Sequence, residues 1–139
     1  MTTFDTIFQD CARKSGFSWV FAYGQKDKNI ITDRNITDYP CILRTFNEPL
    51  QPLFDPQRRV SRDLSLYIIH IGFKQVSSED INANLEQIMF SFMDFRNLLR
   101  SKGIECNLTQ KPFPNWQNLD CDEYGYVFNI TCTYSLCLN

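Results

Sequence analysis

The C-terminal part of the chain alternates apolar residues with small or polar ones without a break. From Tyr124 to Leu138 every second residue is apolar, and Phe128, Ile130 and Tyr134 are among these positions. Side chains along a strand alternate between the two faces, so the pattern predicts one long β-strand with a single apolar face. Strands usually have about five to six residues, so we expect this one either to bend or to extend beyond its own domain and meet a neighbouring subunit.

Two other segments have the periodicity of amphipathic helices. The first runs from Thr3 to Ser15, and the second begins at the N-cap Ser77 and runs to Lys102. One stripe of the second helix carries its regularly spaced apolar residues: Ile81, Leu85, Ile88, Phe92, Phe95 and Leu99. Further apolar residues widen this face, namely Met89, Phe90, Met93 and Leu98. The surplus is expected to pack against the first helix or a partner.

Alternation also predicts the remaining strands, which are Phe17–Tyr23, a short one starting at Ile30, Cys41–Phe46, Leu64–Phe73 and Ile104–Phe113. Leu64–Phe73 is apolar on both faces, which is typical of a central strand covered on both sides. Two segments that contain prolines, Asn47–Arg62 and Pro112–Tyr124, are predicted to be long loops. The order of elements predicts the α+β class, with a mainly antiparallel sheet of about five to six strands packed against a long helix and an N-terminal helix. One domain spanning residues 1–139 is expected.

Composition narrows the classes of function. The chain is 43% hydrophobic and 14% aromatic, with a net charge of −2. The aromatic content exceeds the need of a small core, so some of these side chains are expected at an interface. The slight negative charge argues against a nucleic-acid partner. No apolar run is long enough to cross a membrane and no secretory signal is recognisable, so we expect a protein made in the cytosol, with reduced, structural cysteines and no membrane partner.

Few residues suggest chemistry. His70 is the single histidine and lies in a predicted strand, where a hydrogen-bonded, partly buried side chain is expected rather than a catalytic base. No motif for a catalytic site, a cofactor or a metal ion is present. Arg58, Arg59 and Arg62 form a basic group at the end of the first long loop. On an acidic protein such a group fits either a charged contact with a like subunit or a solvated loop.

The second long loop offers an aromatic group. Phe113, Trp116 and Tyr124 lie around Pro112 and Pro114. These rings can form a ligand patch, or they can close the open end of the core.

Several features taken together resemble a known family. They are the opening helix, a strand that starts at Tyr39-Pro40-Cys41-Ile42, the proline-bearing loop, a strand from Arg62 to Phe73 leading into the Asp80–Lys102 helix, and a closing strand with Thr-Cys-Thr-Tyr at 131–134. This order is similar to that of the tail-terminator and tail-completion proteins of tailed bacteriophages.

The resemblance implies a non-enzymatic virion structural protein that is assembled in the host cytoplasm. Proteins of this family form closed rings at the head–tail connector or the tail end, commonly hexamers, and related connectors form higher rings on a twelve-fold portal. Neighbouring subunits join through sheet edges and loops, and neighbouring connector or tail proteins are the further partners. The expected interface residues are Arg58, Arg59, Arg62, Trp116, Tyr134, Leu136 and Leu138.

Two other classes stay open. The chain can instead be a cytosolic α+β binding module that recognises a small ligand or a peptide through the aromatic loop Phe113–Tyr124. An enzyme is a third reading, weakened by the single histidine and the lack of a motif.

Overall fold

Two helices and seven strands make up the part of the chain that the computed structural model describes, residues 3–22, 40–45, 49–71, 77–115 and 123–137. The helices are α1 (Phe4–Lys14) and α2 (Ser78–Ser101). The strands are β1 (Ser18–Ala22), β2 (Cys41–Thr45), β3 (Gln51–Pro52), β4 (Arg59–Ile71), β5 (Glu105–Leu108), β6 (Phe113–Asn115) and β7 (Glu123–Ser135). The short strand predicted to start at Ile30 lies outside the described residues.

The strands form one sheet whose main order is β1-β2-β4-β7-β5. The short strand β3 pairs with β4, and β6 pairs with β7. Every pairing is antiparallel except that of β1 with β2, which is parallel. The predicted α+β class, with a mainly antiparallel sheet and a long and an N-terminal helix, is therefore confirmed.

The two central strands explain the length of the C-terminal segment. β4 and β7 have 13 residues each and pair along their whole length, from Arg59 opposite Ser135 to Ile71 opposite Glu123. β7 therefore finds a partner along its whole length within its own chain, so its length alone does not require a neighbouring subunit. The cross-strand pairing also extends β4 back to Arg59, through a polar stretch that local pattern did not mark as strand.

Both helices begin and end as their sequences predict. The hydroxyls of Thr3 and Ser77 accept hydrogen bonds from backbone N–H groups three residues later, at 3.3 and 3.2 Å. Gly16 and Gly103 follow the two helices with φ of 96° and 85°, a conformation that favours glycine.

The helices cover one face of the sheet, where the even-numbered residues of β4 and β7 point. These strand residues are buried: Leu64, Leu66, Ile68, Phe128, Ile130 and Cys132. A column of rings crosses this core in the order Tyr134, Phe4, Phe8, Phe95, Phe92 and Phe128, with neighbouring centroids 4.0–6.2 Å apart. Much of the aromatic content that composition assigned to an interface therefore lies in the core.

On the opposite face of the sheet, the burial of the side chains differs along β4. Ile69 and Val127 are buried, whereas Asp63 is exposed and accepts a hydrogen bond from the Thr131 hydroxyl at 2.5 Å. The cover predicted on both faces of Leu64–Phe73 is therefore seen at Ile69 within that segment, while the exposed Asp63 belongs to the N-terminal part of β4 that precedes it.

Three predicted segments need correction. Asn47–Arg62 is not one loop, because β3 and the start of β4 form a hairpin within it. Ile104–Phe113 is not one strand, because residues 109–112 separate β5 from β6 while both strands pair with β7. The ends of the predicted loop Pro112–Tyr124 belong to β6 and β7, and residues 116–122 lie outside the described residues.

Candidate functional site

The hairpin between β3 and β4 carries an aromatic side chain that points away from the protein. Phe54 is 92% exposed, and its backbone has a φ of 53°. This left-handed conformation costs a non-glycine residue about 1–2 kcal/mol. A large apolar side chain held outward on a strained backbone is typical of a functional contact rather than of chain connection.

Hydrogen bonds fix the backbone on both sides of Phe54. Leu53 N–H donates to the Arg59 carbonyl, and Arg58 N–H donates to the Asp55 carbonyl, both at 3.0 Å. The Asp55 carboxylate accepts from Arg59 N–H at 3.0 Å and from Arg59 Nε at 2.6 Å. These hydrogen bonds from Arg59 lower the pKa of Asp55, so the carboxylate stays charged at neutral pH.

The end of β7 adds a further apolar side chain to the hairpin. Leu136 is 59% exposed, and its N–H donates to the Arg58 carbonyl at 3.0 Å. The Ser135 hydroxyl also donates to the Gln57 carbonyl, at 2.6 Å. We refer to the exposed side chains at this end of the sheet, those of Leu53, Phe54, Arg58 and Leu136, as the hairpin surface.

A second apolar surface lies where α2 packs on the edge strand β5. A cavity of about 240 Å³ opens there and is lined by Met89, Phe92, Met93, Arg96, Cys106, Leu108 and Phe128. Met93 and Leu108 are also exposed to solvent, and Phe90, one helical turn before Met93, is 68% exposed. We refer to this cavity together with Phe90 as the groove surface. Phe90 and Met93 belong to the surplus apolar face predicted for the helix, and both side chains are more than half exposed.

Arg96 covers the free edge of β5 beside the cavity. Thr109 N–H donates to the Asn129 carbonyl at 2.9 Å, so odd-numbered residues of this segment bond to β7 and the Cys106 carbonyl points outward. Arg96 Nε donates to that carbonyl at 2.6 Å, and Arg96 Nη2 donates to Asn107 Oδ1 at 3.0 Å. A charged side chain therefore occupies a main-chain carbonyl on the outer side of β5 that would otherwise be open to another strand.

The predicted interface residues do not form one surface. Arg58 and Leu136 belong to the hairpin surface, and Arg59 lies beside it in β4, paired with Asp55 at 2.6 Å. Trp116 and Leu138 lie outside the described residues. The loop position predicted for Arg59 and Arg62 is wrong, because both are in β4.

Arg62 and Tyr134 face the helices and contact each other within the chain. Arg62 Nη2 donates to the Tyr134 hydroxyl at 2.5 Å, and its guanidinium lies 4.3 Å from the centre of the Phe4 ring. Tyr134 is 4% exposed, and burial raises its pKa although Arg62 opposes this. The two residues close the end of the core under α1, and the buried Tyr134 leaves little of its side chain for contact with another subunit.

Sequence reasoning missed Phe54, although a signal was available. Leu50, Leu53 and Phe54 are apolar residues within a segment punctuated by prolines. Apolar residues in a segment expected to be a solvated loop indicate either a contact or a hairpin.

The side chain of His70 is buried and hydrogen-bonded within the sheet–helix layer, as expected from its place in a strand. Its Nε2 atom lies 3.3 Å from Gln87 Oε1, and burial lowers the pKa of the imidazole. Among the described cysteines, Cys11, Cys41, Cys106, Cys132 and Cys137, no two are joined by a disulfide bond in this structure.

No family model and no curated protein matches the chain. Within the described ranges, no helix is long and apolar enough to span a membrane, and no three or more His, Cys, Asp or Glu side chains are grouped so as to hold a metal ion. The hairpin and groove surfaces are therefore the features from which a function is inferred.

Proposed function

We propose that this protein is a non-enzymatic virion structural protein that forms a ring at the head–tail connector or the tail end of a tailed bacteriophage. The observation that supports the proposal is the presence of two unlike exposed apolar surfaces on one chain, a projecting hairpin surface and a recessed groove surface. Such a chain is suited to head-to-tail contacts, in which each subunit uses one surface toward each neighbour. The similarity in the order of elements supports the phage assignment.

The shapes of the two surfaces are compatible. A cavity of about 150 Å³ is enough to hold a benzene ring, so the groove cavity of about 240 Å³ can accept the ring of Phe54. Ligand pockets usually have about 300–1,000 Å³, so this cavity favours a single side chain over a drug-sized molecule.

A chain does not fill its own groove with its own hairpin in this structure, since Phe54 is 92% exposed. Ser135 of β7 lies beside the hairpin, whereas the cavity is lined by Phe128 of the same strand and by Cys106, which pairs with Cys132. These positions lie about 10–24 Å along the strand from Ser135. Phe54 is therefore expected to meet the groove of another copy.

Charge favours the same contact. Arg58 is exposed next to the hairpin tip, while Glu86 and Asp94 are exposed on α2 one turn before and one turn after Phe90. Attraction between Arg58 and these two carboxylates gives orientation and association rate more than affinity. Arg96, the cationic residue of the cavity, is held by the Cys106 carbonyl and Asn107.

The test uses light scattering after size-exclusion chromatography over a range of concentrations under reducing conditions. Wild type is expected to form a closed oligomer, and Phe54→Asp is expected to weaken association at least about tenfold because it removes a central aromatic anchor. Phe54→Leu is the matched control, since it keeps an apolar knob at the same position. Leu136→Glu should weaken association while the monomer stays folded.

Mixing two variants distinguishes head-to-tail contacts from a symmetric dimer. Phe54→Asp lacks the projecting aromatic side chain but keeps the groove, whereas Met93→Lys keeps Phe54 but lacks an intact groove. In an equimolar mixture, Phe54 of one variant can bind only the groove of the other. The mixture should therefore form a two-chain complex and no larger ring. A wild-type chain that remains monomeric at every concentration, or a mixture that forms no complex while each parent is folded, contradicts the proposal.

A second candidate, a module that binds a small apolar ligand, is favoured by the same cavity. Benzene is the probe, followed by the NMR signals of the Met89 and Met93 methyl groups. Saturable shifts in a chain that never self-associates would support this candidate over the ring.

A further inference from the structure

Cys106 of β5 and Cys132 of β7 lie directly opposite each other in the sheet. Both side chains belong to the buried face under the helices, where they are 2% and 0% exposed. The two thiols therefore share one site in the core, although 25 residues separate them along the chain.

The hydrogen-bond pattern defines the kind of pair that they form. Leu136 N–H donates to the Arg58 carbonyl, so the even-numbered main-chain groups of β7 point to β4. Asn129 accepts from Thr109, so the odd-numbered groups point to β5. Cys106 and Cys132 are consequently a non-hydrogen-bonded pair, in which the two Cα atoms are about 4.5 Å apart and the side chains approach most closely.

This separation meets the requirement for a disulfide bond. Cα atoms of bridged cysteines are usually about 4.4–6.8 Å apart, so the bond needs no change in the register of the strands. Cross-linking by this bond would constrain the segment between the two cysteines, which contains β6.

The surroundings favour reaction at Cys106. The hydrogen bond from the Cys132 thiol lowers the pKa of Cys106, and the charge of Arg96 acts in the same direction against the effect of burial. Cys106 also lines the groove cavity, which gives a small oxidant a route to its sulfur. By contrast, burial raises the pKa of Cys11 on α1.

We propose that Cys106 and Cys132 form a redox pair that closes to an intrachain disulfide in the presence of a small peroxide. The Cys106 thiolate attacks one peroxide oxygen, an S–O bond forms, the O–O bond breaks, and the hydroxide that leaves takes up the proton lost by Cys106 to give water. Cys132 then attacks the sulfenic sulfur as its thiolate, an S–S bond forms, and the S–O bond breaks to release a second hydroxide, which takes up the proton lost by Cys132 and becomes water. The two thiols lose two electrons and the peroxide gains them. This inference does not depend on the proposed function.

Closure of the disulfide would tie the edge strand β5 to the centre of the sheet. β5 has only four residues, and it provides Leu108 to the groove surface. The oxidised chain would therefore hold the wall of the groove more firmly than the reduced chain.

The experiment exposes the full chain to hydrogen peroxide, alkylates the remaining thiols after denaturation, and maps the modified peptides by mass spectrometry. Cys121→Ser and Cys137→Ser are present in the background so that these two thiols cannot exchange. We expect a Cys106–Cys132 cross-linked peptide, an alkylated Cys11, and a rise in melting temperature of about 5–10 °C that a reductant reverses.

Single variants test the order of the two steps. Cys132→Ala should leave Cys106 as a sulfenic acid that dimedone labels, whereas Cys106→Ala should leave Cys132 unlabelled. The inference is overturned if both thiols remain alkylatable at a peroxide dose that oxidises the exposed Cys137 of wild type, or if Cys106 is cross-linked to another cysteine. The peptide map of the chain that keeps both Cys106 and Cys132 gives its result even if neither single variant folds.

Discussion

Replacing Phe54 with glycine removes a large aromatic side chain and is nevertheless expected to leave the stability of the monomer nearly unchanged or slightly higher. The left-handed backbone costs phenylalanine about 1–2 kcal/mol, and glycine avoids this cost. Glycine loses about 0.5–1 kcal/mol through the greater freedom of the unfolded chain. Because Phe54 is 92% exposed, its buried part contributes only about 0.4 kcal/mol. The free energy of unfolding should therefore change by about −0.4 to +1 kcal/mol.

Leu53→Gly is the matched control one position earlier. Leu53 is 39% exposed and is not among the described non-glycine residues with positive φ, so glycine there relieves no strain. The change removes about 1–2 kcal/mol of burial and adds the entropic cost of glycine, for a loss of about 1.5–3 kcal/mol. The two neighbouring glycine variants should thus differ by about 2 kcal/mol.

The measurement is urea denaturation at a protein concentration low enough for the monomer to dominate, since association would otherwise add to the apparent stability. The same samples at high concentration report self-association, which Phe54→Gly should weaken and Leu53→Gly should affect less. A loss of more than about 1 kcal/mol in Phe54→Gly would refute the reasoning, because it would mean that the ring is packed in the monomer or that its backbone is unstrained.

Other perturbations test the core and the sheet. Gly125→Ala should destabilise the protein by more than about 3 kcal/mol in urea denaturation, because a Cβ at this position would lie 1.7 Å from a main-chain oxygen of β4. A loss of less than about 1 kcal/mol would show that the two strands are further apart. Tyr134→Phe should cost about 1.5–3 kcal/mol by removing an acceptor of Arg62 in a partly buried site, and an unchanged midpoint would contradict that hydrogen bond. Burial lowers the pKa of His70 in the folded state, so the unfolded state binds more protons and stability should fall as the pH drops below about 6.5. In His70→Asn, thermal melts should lose this part of the pH dependence, and an unaltered pH profile would assign it to other groups.

Some elements could be predicted because their information is local. The periodicity and caps of α1 and α2 lie within a few neighbouring residues, and the structure places both helices where these signals predicted them. The buried face of β7 was also readable, since alternation assigns faces without knowledge of the partner strand. Composition, by contrast, suggested aromatic residues at an interface, and the ring column shows that many of them fill the core.

Other assignments depended on pairing between distant segments. Arg62 has the same parity as Leu64 and Leu66, so its inward direction follows once β4 is known to begin at Arg59. Nothing in the polar sequence before Leu64 indicates that start, because it is the pairing with β7 that makes this stretch a strand. The same pairing brings Leu136 to the hairpin.

The sequence by itself therefore determined the helices, the α+β class and the apolar face of the last strand, because these depend on spacing between near neighbours. Only the tertiary structure decided that Tyr134 is a core residue, that Phe54 projects from a hairpin, and that Cys106 meets Cys132. Each of these results depends on a strand register, and register is set by contacts between residues far apart in the chain, which no local pattern contains.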